Sequence, residues 1–168
     1  AIETSGHCAL KENDYLDDGT YAAVRIIGLL AHEKAANPTM SLLDLISELP
    51  EMEEEAELRM PLRDESLEST HRIFDLVASE IEASCATSNS KWVLDTDNLE
   101  GIRVSTGGGS FFMLRKSLHD PLLSVQVEAA SKEAAKSVVI QPLLNIFNEE
   151  AEIASLLDFS AIEGYNQQ

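Results

Sequence analysis

Apolar residues recur at two different periods along this chain, and the change of period divides it. From Asp17-Asp18-Gly19 onward, Tyr21, Val24, Ile27, Leu30 and Ala31 recur at three and four, the stripe of one helix face. The two aspartates ahead of them suit an N-cap and the positive end of the helix dipole, and Asn37-Pro38 stops the helix. A second, shorter helix is predicted from a Ser41 cap through Leu42, Leu45, Ile46 and Leu49, ended by Pro50. Two such helices cannot enclose a core alone, so they must pack on the next segment or on protein outside the chain. Residues 1 to 16 read as a loop with short extended flanks.

Beyond Glu57 strand and helix patterns alternate. Leu58 to Leu62 reads as a short strand. Residues 66 to 84 read as a helix on the stripe Leu67, Phe74, Val77 and Ile81, followed by the loop 86–90. Extended runs follow at Trp92 to Leu94, with a continuation toward Val104, at Ser110 to Leu114 and at Leu122 to Glu128. The last alternates, with Leu123, Val125 and Val127 on one face and Ser124, Gln126 and Glu128 on the other, as in a sheet with one wet side. Gly107-Gly108-Gly109 supplies positive φ for a hairpin turn, which predicts antiparallel pairing. Ser131 caps a helix through Ala135, Val138 and Val139, with a kink or restart at Pro142 before Leu143, Ile146 and Phe147.

The expectation is an α+β fold. Residues 1–50 are a helical piece of one domain, 51–57 an acidic hinge, 58–147 a domain of antiparallel sheet and two covering helices, and 148–168 an acidic tail with no element assigned. Charge supports the hinge: residues 41 to 70 hold ten acids against two bases, and such a run is ordinarily solvated and self-repelling.

Whole-chain composition narrows the partners. The 168 residues carry 12 Lys+Arg against 30 Asp+Glu, a net charge of −18, which excludes broad binding to nucleic acid or to anionic membrane surfaces. At 44% apolar the chain belongs with folded globular proteins. Cys8 and Cys85 form no disulfide framework, so a reducing compartment is expected, cytoplasmic or organellar stroma. No apolar run approaches the ~20 residues of a membrane span. Ala1-Ile2-Glu3 has neither an initiator Met nor a basic leader, so the chain is expected to begin inside a longer protein.

Two segments carry candidate chemistry. Arg103 to His119 holds three formal positives, one histidine and no acid, a local reversal of the chain's charge. Within it, Arg115-Lys116-Ser117-Leu118-His119-Asp120-Pro121 joins two strands. A guanidinium, a hydroxyl and loop amides converging there would bind a phosphate; the alternative is a polar hairpin loop. Glu3-Thr4-Ser5-Gly6-His7 gathers an acceptor, a hydroxyl and an imidazole that suit several sugar hydroxyls and a proton near neutral pH; the alternative is a turn. Neither Glu3, His7 and Cys8 nor Asp95-Thr96-Asp97 has the further ligands a metal site needs.

Glu3-Thr4-Ser5-Gly6-His7, Lys11-Glu12-Asn13, Leu16-Asp17-Asp18-Gly19, Gly101-Ile102-Arg103-Val104 and Arg115 to Pro121 ahead of Val125-Gln126-Val127-Glu128-Ala129 together resemble the α-D-phosphohexomutase family of phosphoglucomutases and phosphomannomutases. Order and spacing match from residue 1 to roughly residue 147. The resemblance implies the end of the family's third domain, from an α/β/α layer, and all of its fourth, which has the TATA-binding-protein-like fold. It implies that Glu3, Ser5 and His7 contact the sugar, with His7 also placed to assist proton transfer. Arg115 and Ser117, with Leu118 and His119, would hold the phosphate not being transferred. The commoner loop reads Arg-x-Ser-Asn/Gly-Thr-Glu-Pro; here Leu118, His119 and Asp120 precede the proline, a variant that leaves substrate preference open.

The family's phosphoserine loop and its Asp-x-Asp-x-Asp magnesium loop lie in the first two domains, and neither motif occurs here. The resemblance therefore implies no metal site and no catalytic residue in this chain, which would be inactive alone. In the parent, with Mg2+, phosphoserine would phosphorylate a hexose monophosphate, and the hexose 1,6-bisphosphate would reorient and return its other phosphate. The expected partners are a hexose phosphate and the N-terminal domains of the same protein, with 51–57 as the hinge between modules. The alternative is a non-catalytic binding module that keeps the mutase scaffold.

Overall fold

The computed structural model describes residues 2, 6–49, 51–98 and 100–168. The chain forms two compact units, Ala1–Leu49 and Pro50–Gln168. In the first, α1 (Gly19–Ala36) starts where Asp18 Oδ1 accepts the Tyr21 amide at 3.0 Å, the N-cap expected from the sequence. The second predicted helix shrinks to a 3₁₀ turn, Asp44–Ile46. Ser41 and Asp44 exchange capping hydrogen bonds as expected, but a short helix persists only when packing adds to its propensity. Here Leu42, Leu43, Ile46 and Leu49 are exposed, and no described residue of this unit is buried.

The second unit is built on one five-stranded antiparallel sheet of order β1-β5-β4-β3-β2. Its strands are β1 (Glu54–Pro61), β2 (Val93–Leu94), β3 (Ile102–Gly107), β4 (Ser110–Lys116) and β5 (Leu122–Ala129). Strand β1 begins inside the predicted hinge. Ala56, Leu58 and Met60 alternate inward while Glu55, Glu57 and Arg59 reach solvent, and an edge strand tolerates that charge because half its side chains stay wet. The predicted continuation from Leu94 to Val104 is instead a reversal, with Val93 opposite Ser105 and Leu94 opposite Val104. Gly108 and Gly109, at φ +61° and +87°, close the β3–β4 hairpin as the sequence anticipates.

Five helices follow the first unit: α2 (Leu67–Cys85), α3 (Lys132–Ala135), α4 (Gln141–Glu149), α5 (Ala151–Leu156) and α6 (Ser160–Gln167). Helix α2 is capped by Ser66 and buries Thr70, Ile73, Val77 and Ile81. Leu67, placed on the stripe from sequence, is exposed, and Phe74 lies at the margin. A π-turn, Lys136–Ile140, separates α3 from α4. Pro142 has no N–H for the Val138 carbonyl, and the Trp92 indole donates to that oxygen at 2.7 Å. Trp92 also packs edge-on against Phe112 at 4.7 Å, tying β2, the sheet and the helical layer together.

The acidic tail is structured. Ile153, Leu157, Phe159, Ile162 and Tyr165 are buried in the same core as Phe147, Leu143 and the sheet, and Tyr165 donates to Glu54 at 2.6 Å. Two short helices broken at Leu157 and Phe159 show no helical period in sequence, yet five apolar residues going under contribute about 1.5–3 kcal/mol each. The inward residues of β5, Leu123, Val125 and Val127, are fully buried. Its outward face is not wet in the middle. Ser124 lies between Arg59 and Arg115, Gln126 between Glu57 and Met113, and these long neighbours leave Gln126 only 4% exposed. Gln126 Oε1 is buried with no hydrogen-bond partner among the described residues.

Candidate functional site

The β4–β5 connection is a loop of five residues, Ser117 to Pro121, whose ends are clamped. The Ser117 amide donates to the Leu122 carbonyl at 3.0 Å, and the Leu122 amide to the Asp120 carbonyl at 2.8 Å. Ser117 Oγ accepts the amides of His119 at 3.3 Å and Asp120 at 3.1 Å, a serine turn that folds the loop on itself. Leu118 is 80% exposed, and His119 and Asp120 also face water. The loop therefore presents the backbone of Leu118 and His119 on a fixed frame.

The three cations of the basic run are engaged to different degrees. The Arg103 guanidinium donates to Asp95 at 3.1 Å and stacks over Phe111 at 4.0 Å. The Lys116 ammonium sits 5.0 Å from the Phe74 ring centre, on the helix side of the sheet. Arg115 points to the other face, where Glu100 stands 3.8 Å away, too far for a hydrogen bond. Arg115 is about two-thirds covered, and among the described residues this long ion pair is its one charged contact, so its donors can still turn to an anion. The site is less positive than its sequence suggests, because folding brings Asp95 and Glu100 beside the basic run.

Gly101 sets this corner. It stands at φ +109°, and a Cβ built there would lie 2.2 Å from the Leu114 carbonyl oxygen and 3.4 Å from Arg115 Cα. Only glycine lets the start of β3 lie this close to the strand that carries Arg115. Asn98 Nδ2 donates to the Gly101 carbonyl at 3.0 Å and holds the approach.

In the first unit, Glu3 and Ser5 lie outside the described residues. His7 Nδ1 meets Asp17 Oδ2 at 2.6 Å, and both side chains are more than half exposed. That carboxylate orients the imidazole and favours the proton on Nδ1. Asp17 is the partner that sequence reasoning missed. Asp17-Asp18 reads as a capping pair, but only Asp18 caps α1, while Ala9 and Asp17 form a β-bridge that carries the other carboxylate to His7. Two acids ahead of a helix, one more than a cap needs, was the available signal.

No group of three or more His, Cys, Asp or Glu among the described residues is arranged to hold a metal ion. Asp95 and Asp97 form a turn in which the Asp97 amide donates to Asp95 Oδ1 at 3.1 Å. Among the described residues no helix is long and apolar enough to cross a membrane.

No protein-family model matches the chain, and no curated protein matches it. Among solved structures, a phosphoglucomutase/phosphomannomutase family protein from Burkholderia thailandensis is similar to it, with a TM-score of 0.52 and 22% identity. The likeness covers 89% of this chain and 27% of that one. It is a likeness of fold, and this chain spans little more than a quarter of that protein's length.

Proposed function

We propose that the chain is the C-terminal part of a phosphohexomutase and that its Arg115–Pro121 loop holds the phosphate of a hexose phosphate that is not being transferred. The observation that carries this reading is Arg115. It is a partly covered guanidinium beside a clamped loop, held by one long ion pair to Glu100 at 3.8 Å in a chain of −18, on a fold similar to that of a phosphoglucomutase/phosphomannomutase family protein. Arg115 would take two phosphate oxygens as a fork. Ser117 would either donate its hydroxyl or release the His119 and Asp120 amides to the anion, and His119 would approach from the exposed rim.

Glu3, Ser5 and His7 would contact the sugar, with the imidazole held by Asp17 and placed to move a proton to or from a hydroxyl. Phosphoserine, Mg2+ and the hexose 1,6-bisphosphate intermediate belong to the whole protein, and the residues for phosphoryl transfer would come from its other domains. The chain alone binds and does not transfer.

Titration of the 15N-labelled chain with inorganic phosphate or glucose 1-phosphate tests this. Amide signals of Ser117, Leu118 and His119 should move with a dissociation constant of about 1 mM, a binding energy near 4 kcal/mol. Arg115→Ala should weaken it roughly tenfold or more, the worth of a charge-assisted hydrogen bond. Still signals at saturating ligand, or an Arg115→Ala chain that titrates like the wild type, reject the assignment.

A further inference from the structure

The candidate loop is held from behind by residues far from it in sequence. Beyond β1, the Leu62 amide donates to the Pro121 carbonyl at 2.8 Å, so residues 61–62 continue the pairing of β1 with the start of β5. On their outer edge the C-terminal segment adds one isolated β-bridge. Leu62 and Leu157 form an antiparallel bridge, the Arg63 amide donates to Leu156 O at 2.8 Å, and the Asp158 amide donates to Pro61 O at 2.9 Å. The order is therefore loop, residues 61–63, residues 156–158. Arg63 fastens the outer pair, with Nη2 at 3.4 Å from the Leu157 carbonyl oxygen and 3.9 Å from Asp158 Oδ1. Both side chains are more than a third exposed, so they lie outside the core. The ladder borders an open cleft of about 590 Å³ lined in part by Leu62, Arg63, Pro121 and Asp158, which leaves the loop room to shift if its backing loosens.

From this arrangement we infer that Arg63 is a positioning residue for the phosphate loop, acting through the C-terminal segment 156–158. Its role is exerted through the backbone and not by contact with phosphate. It holds the segment that holds residues 61–63, and those hold the Pro121 carbonyl and with it the Ser117 turn. The inference rests on the phosphate reading of that loop, and the C-terminal residues become part of the binding apparatus.

The test uses the full chain as Arg63→Ala and Arg63→Lys, with inorganic phosphate as the probe. Arg63→Ala should raise the half-saturating phosphate concentration roughly threefold to tenfold, the equivalent of one hydrogen bond, and speed hydrogen exchange at the Leu62 amide. Arg63→Lys, which can still donate to Leu157, should recover most of the affinity. Wild-type phosphate affinity in Arg63→Ala overturns the inference, and so does affinity lost equally in both variants. If wild-type loop amides ignore phosphate, the proposed function fails by itself. Positioning is then read without ligand: displaced Ser117, His119 and Asp120 amide signals in Arg63→Ala support it, and unmoved ones overturn it.

Discussion

Gly101→Ala is the sharpest test of how the candidate site is built. At φ +109° a side chain is strained whatever surrounds it, and holding a non-glycine residue there costs about 1–3 kcal/mol. The added methyl would also stand 2.2 Å from the Leu114 carbonyl oxygen and 3.3 Å from its carbon. That oxygen belongs to backbone in the middle of the sheet, so relief requires β4 to move, at about 1–3 kcal/mol. The expected loss is therefore roughly 2–6 kcal/mol, a large share of the 5–15 kcal/mol that typically holds a domain together. Urea unfolding followed by the fluorescence of Trp92 measures it cleanly, because that residue is the chain's single tryptophan and is buried in the second unit. Gly164→Ala is the matched control. It lies within α6 with nothing within 4 Å of a built Cβ, so it should gain about 0.5–1 kcal/mol from helix propensity. Because Leu114 adjoins Arg115, Gly101→Ala should also shift the Arg115 and Ser117 amide signals and weaken phosphate binding. A loss below about 1 kcal/mol with unmoved Arg115 signals would refute the tight approach of Gly101 to β4.

Three further outcomes are expected. Gln126→Met removes a buried acceptor that has no partner among the described residues, along with a long Nε2 bond to Glu128 at 3.4 Å, and should raise stability by about 1 kcal/mol in the same urea assay, since an unmade hydrogen bond costs more than an apolar replacement of similar shape. Tyr165→Phe should cost about 1.5–3 kcal/mol by removing the 2.6 Å bond to the Glu54 carboxylate. Burial first, then that carboxylate, push the Tyr165 phenol above its ordinary range. Its contribution is full below the unfolded value near 10 and fades as pH rises toward the higher native one, so the wild-type stability should fall above about pH 10 more steeply than that of Tyr165→Phe. Ser117→Ala removes the acceptor of two loop amides; hydrogen exchange at His119 and Asp120 should accelerate about tenfold with little change in global stability.

What could be read in advance follows the range of the forces involved. Helix α1 with its Asp18 cap, helix α2, the glycine hairpin and the alternation of β5 are written in residues one to four apart, where period and positive φ leave a local signature. The Arg115 loop was legible for the same reason, as a charge reversal in a contiguous run. The second short helix was not, since its caps are local but its persistence needs a packing surface. The linker misled because five glutamates in seven residues outweigh the inward alternation of Ala56, Leu58 and Met60. In the first unit His7 shows its partner only when the bridge at Ala9 brings Asp17 round; in the second, Glu100 reaches Arg115 only because Gly101 turns the chain against β4.

The sequence by itself determined the α+β class, the antiparallel hairpin and the residues of the loop, because these depend on neighbours along the chain. Tertiary structure decided that the acidic tail belongs to the core and that residues 156–158 bond to residues 61–63. It also decided that Gln126 lies buried on a face that alternation assigns to water, and that Asp95 and Glu100 stand beside the basic run. Those outcomes depend on which distant groups share a dielectric and a surface, and apolar burial or an ion pair acts only between atoms that the fold has already brought within a few ångströms.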